Sequence, residues 1–248
     1  MAVTAGIALV CFFGGVLSGL AGFGALIIMV PALVLLVGMA VTIPLGVLCG
    51  VATQGMNVWF YRSHVHKQAL FRLLLGSLPG IWIGGSLLIY LPEPILRAML
   101  GTLIVGYVCW SFRIRKLPCP TGEPAAIWAY VAGFFCGGFG AAFGINGPPA
   151  VIYATRTNWT PAAIRAFVGI FCFLLFIITA GTMITRGIVT PEVWRLAALA
   201  IPCCLAGSLC GRRIAARLNP AQYMKLVFLL LLVMGLSLCW PAFRLYIL

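Results

Sequence analysis

Residues 137–149 run GGFGAAFGINGPP, and residues 19–31 run GLAGFGALIIMVP. Each stretch interrupts an apolar segment that is too long to cross a bilayer once. As single helices, segment 5–38 would measure ~51 Å and segment 126–154 ~43 Å at 1.5 Å per residue. A hydrocarbon core is only ~30 Å thick. Pro148 and Pro149 do not both fit inside a continuous helix, but they can open a new one. Each long segment is therefore expected as two half-helices with a glycine-rich break between them.

Further apolar segments follow at 42–61, 70–90, 94–112, 163–185, 193–211 and 222–241. Of the 248 residues, 63% are hydrophobic and only 8% are charged. Soluble domains carry about 25% charged residues, so too few remain here to cover a water-facing surface. A chain of this size cannot place so many apolar runs in one soluble core. The fold class is an all-α polytopic membrane protein. The apolar stretch from Ala5 runs past the length of a signal peptide's apolar region and has no basic start, so it reads as the first membrane element.

The segment 113–125, RIRKLPCPTGEPA, is a basic, Pro-containing linker. It divides the chain into a first transmembrane repeat, 1–112, and a second, 126–248. Shifted by 122, Gly22-Phe23-Gly24-Ala25 falls on Gly144-Ile145-Asn146-Gly147. Shifted by 127, Pro79-Gly80-x3-Gly84 falls on Ala206-Gly207-x3-Gly211. The common order of these matches points to an internal duplication, a frequent build of secondary transporters.

Charge bears on topology. Sixteen Lys and Arg stand against three Glu and no Asp. The bases sit in short loops between apolar runs, so topology explains them better than nucleic-acid binding, and no nucleic-acid partner is expected. If both long segments cross once, the bases divide nine to seven and give no orientation. If both are re-entrant hairpins, one side collects twelve and the other four, and the rich side should be cytoplasmic. The hairpin reading also gives each half an odd number of crossings. The two repeats, of about four helical segments each, are then inverted, with both termini outside the cytoplasm.

At the two breaks the chain resembles the sulfite exporter TauE/SafE family of anion permeases. The family's first motif is like GxxSGxxGxGGG with a following Pro; here it reads Gly15, Ser18, Gly19, Gly22, Gly24-Ala25-Leu26 and Pro31. Its second copy typically ends GIGGPP; here it reads Gly144-Ile145-Asn146-Gly147-Pro148-Pro149. The Pro-Gly-x3-Gly element, the basic linker and Ile164-Arg165-Ala166 are also similar. The resemblance covers the whole chain. It implies a bacterial inner-membrane, multi-pass permease for sulfite, a sulfonate or another small sulfur or carboxylate anion. The departures at Ala25-Leu26 and Asn146 add side chains at the breaks.

A half-helix that begins inside the membrane exposes unpaired N–H groups and a partial positive charge. Together these make an anion site without a charged side chain. Gly22, Gly24, Ala25, Gly144, Asn146 and Gly147 are the candidates there, with the two breaks expected to meet near the midplane. The alternative is that the glycines only permit tight helix packing. Thr53, Gln54 and Asn57 are intramembrane polar residues, with Thr53 and Asn57 on one helix face. They can bind anion oxygens or bond between helices. Arg165 follows the Thr160-Pro161 turn as an anion-attracting residue or a snorkelling one.

The remaining residues argue mainly by exclusion. The ten cysteines show no metal-ligand spacing and read as small packing residues, so no metal or cofactor is expected. His64 and His66 read as a solvated loop pair. Trp59, Tyr61, Tyr90, Tyr153 and Trp240 read as interfacial aromatics. No Ser/His/Asp set and no HExxH motif appears, which argues against an enzyme. All three Glu lie in loops or at segment ends, so no carboxylate relay is expected in the membrane interior.

The expected function is export of a small sulfur-containing anion by alternating access, with the anion and the lipid bilayer as partners and a homo-oligomer left open. An importer of a sulfonate or small carboxylate, or a non-transporting membrane subunit, are the rivals. Reporter fusions at both termini are expected to show each outside the cytoplasm, and a cytoplasmic N-terminus would sink the hairpin topology.

Overall fold

The computed structural model describes residues 2–21, 25–60, 66–114 and 125–215. Among the described residues the protein is helix joined by short turns, with no strand. The first part holds α1 (Ala2–Ala21), α2 (Ala25–Val37), α3 (Met39–Phe60), α4 (Lys67–Tyr90) and α5 (Glu93–Ile114). The second holds α6 (Ala126–Phe143), α7 (Gly147–Thr155), α8 (Pro161–Thr185) and α9 (Pro191–Ala215). Lipid offers backbone groups no hydrogen bonds, so apolar segments close their bonds internally as helices. Among the described residues five helices are long and apolar enough to cross a membrane. The expected segment 222–241 and most of the linker lie outside the described residues.

Both overlong segments are broken where expected, 5–38 into α1 and α2 and 126–154 into α6 and α7. By rise per residue, α1 is ~30 Å long and α7 only ~14 Å. The pieces fold back on each other. A methyl added to Gly14 would meet Met29 at 3.1 Å, and one on Gly6 would meet Leu36 at 3.6 Å. Rising numbers on α1 thus face falling numbers on α2, which makes an antiparallel hairpin. In the second segment Gly140 faces Asn146 and Cys136 faces Ala150, the same sense.

Parallel contacts tie each hairpin to a distant helix. A Cβ on Gly15 or Gly19 of α1 would overlap the Cys204 or Ser208 carbonyl of α9. A Cβ on Gly207 or Gly211 of α9 would overlap the Phe12 or Val16 carbonyl of α1. Between α4 and α6 the same happens, with Gly80 on Phe134, Gly84 on Gly138 and Gly137 on Ser77. The two sets correspond under the shifts of 122 and 127 seen in the sequence: Gly207–Phe12 becomes Gly80–Phe134, and Gly15–Cys204 becomes Gly137–Ser77. These glycines are not the candidates at the breaks; here helix axes approach closely because no side chain stands between them.

Helices α3 and α8 correspond under the 122 shift and cross at the centre. Gly50 faces Phe176 and Gly55 faces Phe173, each within 2.9 Å of an added Cβ, so the two helices run antiparallel. At one end, Glu93 Oε1 accepts the Met39 N–H at 2.9 Å and Arg97 Nη2 at 2.7 Å. That carboxylate pins α5 to the α2–α3 turn, where Gly38 takes φ +76°. Among the aromatics, Trp59 and Tyr90 are exposed as an interface requires. Tyr153 is not interfacial: it is buried against Trp159 and Phe167 because α7 turns inward.

Gly80→Ala and Gly207→Ala are each expected to lower thermal stability in detergent by about 1–3 kcal/mol, the usual cost of overpacking. Gly106→Ala, which meets nothing within 4 Å, should leave it unchanged.

Candidate functional site

The break between α6 and α7 is built by residue type. Gly144 ends α6 at φ +70°, a left-handed conformation that glycine adopts without cost. Its N–H bonds to the Gly140 carbonyl at 3.0 Å, and the Ile145 N–H bonds to Phe139 at 3.3 Å, closing the helix end. Asn146 then precedes α7, whose first turn contains Pro148 and Pro149. Neither proline carries an N–H. The helix start therefore offers fewer backbone donors than expected, essentially the Gly147 N–H. The Asn146 side chain does not cap α7. Its Nδ2 is buried without a hydrogen-bond partner, and Asn146 is only 4% exposed.

A small cavity opens on this break. Gly144, Ile145, Asn146 and Gly147 form one wall; Gly50, Thr53 and Gln54 of α3 form a second. Leu26 from the first turn of α2 and Cys172 and Phe176 of α8 complete it. The starts of α2 and α7 thus face one space. The first turn of α2 has no proline, so its N–H groups are all present. Among the described residues no charged side chain lines the cavity. Its volume is ≈ 20 Å³, about enough for one water.

A hydrogen-bonded layer backs the α3 wall. Asn57 Nδ2 donates to Gln54 Oε1 at 2.8 Å and to Ser18 Oγ of α1 at 3.3 Å. With its oxygen held this way, Gln54 keeps its NH2 group as the donor for the cavity. The Thr53 hydroxyl donates to the Cys49 carbonyl at 2.9 Å. It can therefore only accept from the cavity until it rotates, a poorer match to an anion than its position in the sequence suggests.

Of the expected residues, Thr53, Gln54, Gly144, Asn146 and Gly147 come together, with Asn57 one layer behind. Arg165 does not join them; it is exposed in the first turn of α8 and does not line the cavity. Gly22 and Gly24 lie outside the described residues, and Ala25 opens α2. Gly50 and Phe176 escaped sequence reasoning. An added Cβ on Gly50 would meet the Phe176 ring at 2.9 Å, so the glycine makes room for the ring beside the cavity. Neither differs in type from ordinary packing residues, so no local signal marks them. Away from the cavity, His66 is exposed but stacks on Trp159 at 4.2 Å, more ordered than a solvated loop histidine. The thiols of Cys11, Cys49 and Cys204 converge within 4.8 Å, which their spacing along the chain conceals.

A helical bundle with a small cavity, mostly apolar but with a few polar groups, between two interrupted helices is a build found in membrane transporters. A profile of the family Sulfite exporter TauE/SafE matches residues 7–238, and the chain belongs to that family. It is a multi-pass protein of the bacterial cell membrane, in a family of transporters rather than enzymes. Among curated proteins it is 28% identical to the "Probable sulfite/organosulfonate exporter TauE" of Cupriavidus necator over 195 residues, 75% of this chain and 73% of that one. No solved structure matches.

Asn146→Ala removes a side chain that makes no bond in the resting protein. It should leave thermal stability near wild type. It should weaken sulfite binding, read by ligand-induced thermal shift, about tenfold or more, the worth of a hydrogen bond to a charged group.

Proposed function

We propose that this chain is an anion permease that exports sulfite or a small organosulfonate by alternating access. The moving parts are two inverted repeats, residues 1–112 and 126–248, joined by the linker 113–125. The observation that carries the reading is the unpartnered, buried Asn146 amide at the meeting of two half-helix starts. A buried donor without a partner costs about 1–3 kcal/mol. An anion in the cavity removes that cost and meets the Gln54 NH2, the Gly147 N–H and the positive ends of α2 and α7. Among the described residues a cation would find no carboxylate there.

The inverted arrangement draws support from the antiparallel crossing of α3 and α8 and from the α1–α2 and α6–α7 hairpins. These relations also favour the re-entrant topology and the twelve-to-four charge bias. A cavity of ≈ 20 Å³ leaves little room for sulfite. Access must come from movement, with Phe176 and Leu26 the bulky wall residues that have to give way. Small-residue contacts without interlocking side chains suit such sliding.

Export fits the charge inventory. Glu93 and Glu192 stand in the first turns of α5 and α9, and neither lines the cavity. An anion leaving a negative-inside cell gains roughly 2.3 kcal/mol per charge per 100 mV, so export needs no coupling ion. A proton carried by the substrate can assist. In proteoliposomes loaded with sulfite, efflux should quicken as the interior is made more negative. Flux indifferent to the potential overturns the electrogenic version, and absence of any anion flux overturns the permease.

A further inference from the structure

We propose that Cys11, Cys49, Cys204 and Met29 form a buried site for a soft monovalent metal ion, Cu(I) foremost. The four residues come from four helices: α1, α3, α9 and α2. The three Sγ atoms lie within 4.8 Å of one another, and Cys204 Sγ lies 3.8 Å from Met29 Sδ. All four residues are at most 1% exposed. Sulfurs bound tetrahedrally at ~2.3 Å from one ion stand ~3.8 Å apart, so closing the three thiols asks for a contraction of no more than about 1 Å.

Packing alone does not ask for this sulfur. Under the shifts that relate the two halves, Cys11 corresponds to Gly133, Cys204 to Ser77 and Met29 to Val151. Those positions do the same structural work, since a Cβ on Gly133 would overlap the Leu73 carbonyl as Gly15 does Cys204. The scaffold needs small or apolar residues there. Among the described residues, thiols and a thioether gather around one point at the α1–α9 contact and not at the corresponding α4–α6 contact.

The donor set selects the ion. Thiolate and thioether ligands favour Cu(I), whereas Mg²⁺ and Ca²⁺ require oxygen. Binding would replace one S–H proton by the metal, leaving a neutral Cu(I)–thiolate with two neutral thiols and a thioether, and releasing one proton to solvent. A divalent ion would need two protons removed for the same neutrality, and a net charge at this depth is costly. The site adjoins the anion cavity. Cys49 precedes Gly50, its carbonyl holds the Thr53 hydroxyl, and Met29 lies one turn beyond Leu26. Bound metal would clamp α1, α2, α3 and α9 together, fixing two walls of that cavity.

The test is a competition between the reduced, purified protein and bathocuproine disulfonate for Cu(I) without oxygen, which requires no transport. The expected result is withdrawal of one Cu(I) per chain and an X-ray absorption spectrum with sulfur as nearest neighbours. Cys136→Ala and Cys210→Ala should keep it, and Cys49→Ala/Cys204→Ala should lose it while unfolding at the wild-type temperature. Failure of the wild type to withdraw Cu(I), or its retention by that folded double variant, overturns the proposal. Should the double variant not fold, nitrogen or oxygen as the nearest neighbours in the wild-type spectrum overturns it by itself. Displacement of Cu(I) by equimolar Zn²⁺ overturns the choice of ion.

Discussion

The close passage of glycine backbones against carbonyls holds this protein together. In lipid there is little hydrophobic gain in bringing two apolar helices together, so association rests on close packing. Gly15 and Gly19 on α1 against Gly207 and Gly211 on α9, and Gly80, Gly84 and Gly137 between α4 and α6, bring helix axes as near as backbones allow. Each contact ties a broken hairpin of one half to a helix of the other. Without both ties, the starts of α2 and α7 would not face one cavity, and neither half-helix buries enough surface to stay in place alone.

That architecture solves an electrostatic problem. An arginine in the cavity would bind an anion tightly, but its own burial would be expensive, and it would hold the anion too long for rapid release. The cavity instead uses neutral donors and helix ends. Such groups cost far less than a buried charge when the site is empty and attract negative charge more strongly than they would in water. The two prolines of α7 trim the backbone donors, and Asn146 restores one as a side chain. The attraction is thereby moderate and placed on a residue that can turn.

The α3 wall is where the proposed anion site and the thiol cluster meet. Thr53 bonds to Cys49, Gln54 to Asn57, and Asn57 to Ser18 on α1. A shift of α1 against α3 would therefore act on the Gln54 amide through Asn57 and on the Cys49 backbone through its neighbours. This gives a short physical route between the α1–α9 contact and the cavity wall.

Much of this was legible in the sequence. Composition dictated a helical membrane protein because so few charges cannot cover a water-facing surface. Segment length against bilayer thickness located both breaks, and Pro148-Pro149 marked the start of α7. The 122 and 127 shifts identified the corresponding helices. Asn146, Gln54 and Thr53 stood out as polar residues in apolar surroundings. Tertiary structure decided the rest. It left Arg165 exposed, put Asn57 one layer back, turned the Thr53 proton toward Cys49, drew Tyr153 inward and set Phe176 over Gly50. It also assembled three cysteines separated by up to 193 residues. The reason is physical. Spacing along one helix tells which residues share a face, but which face meets which neighbour depends on the rotation and depth of helices packed from distant parts of the chain.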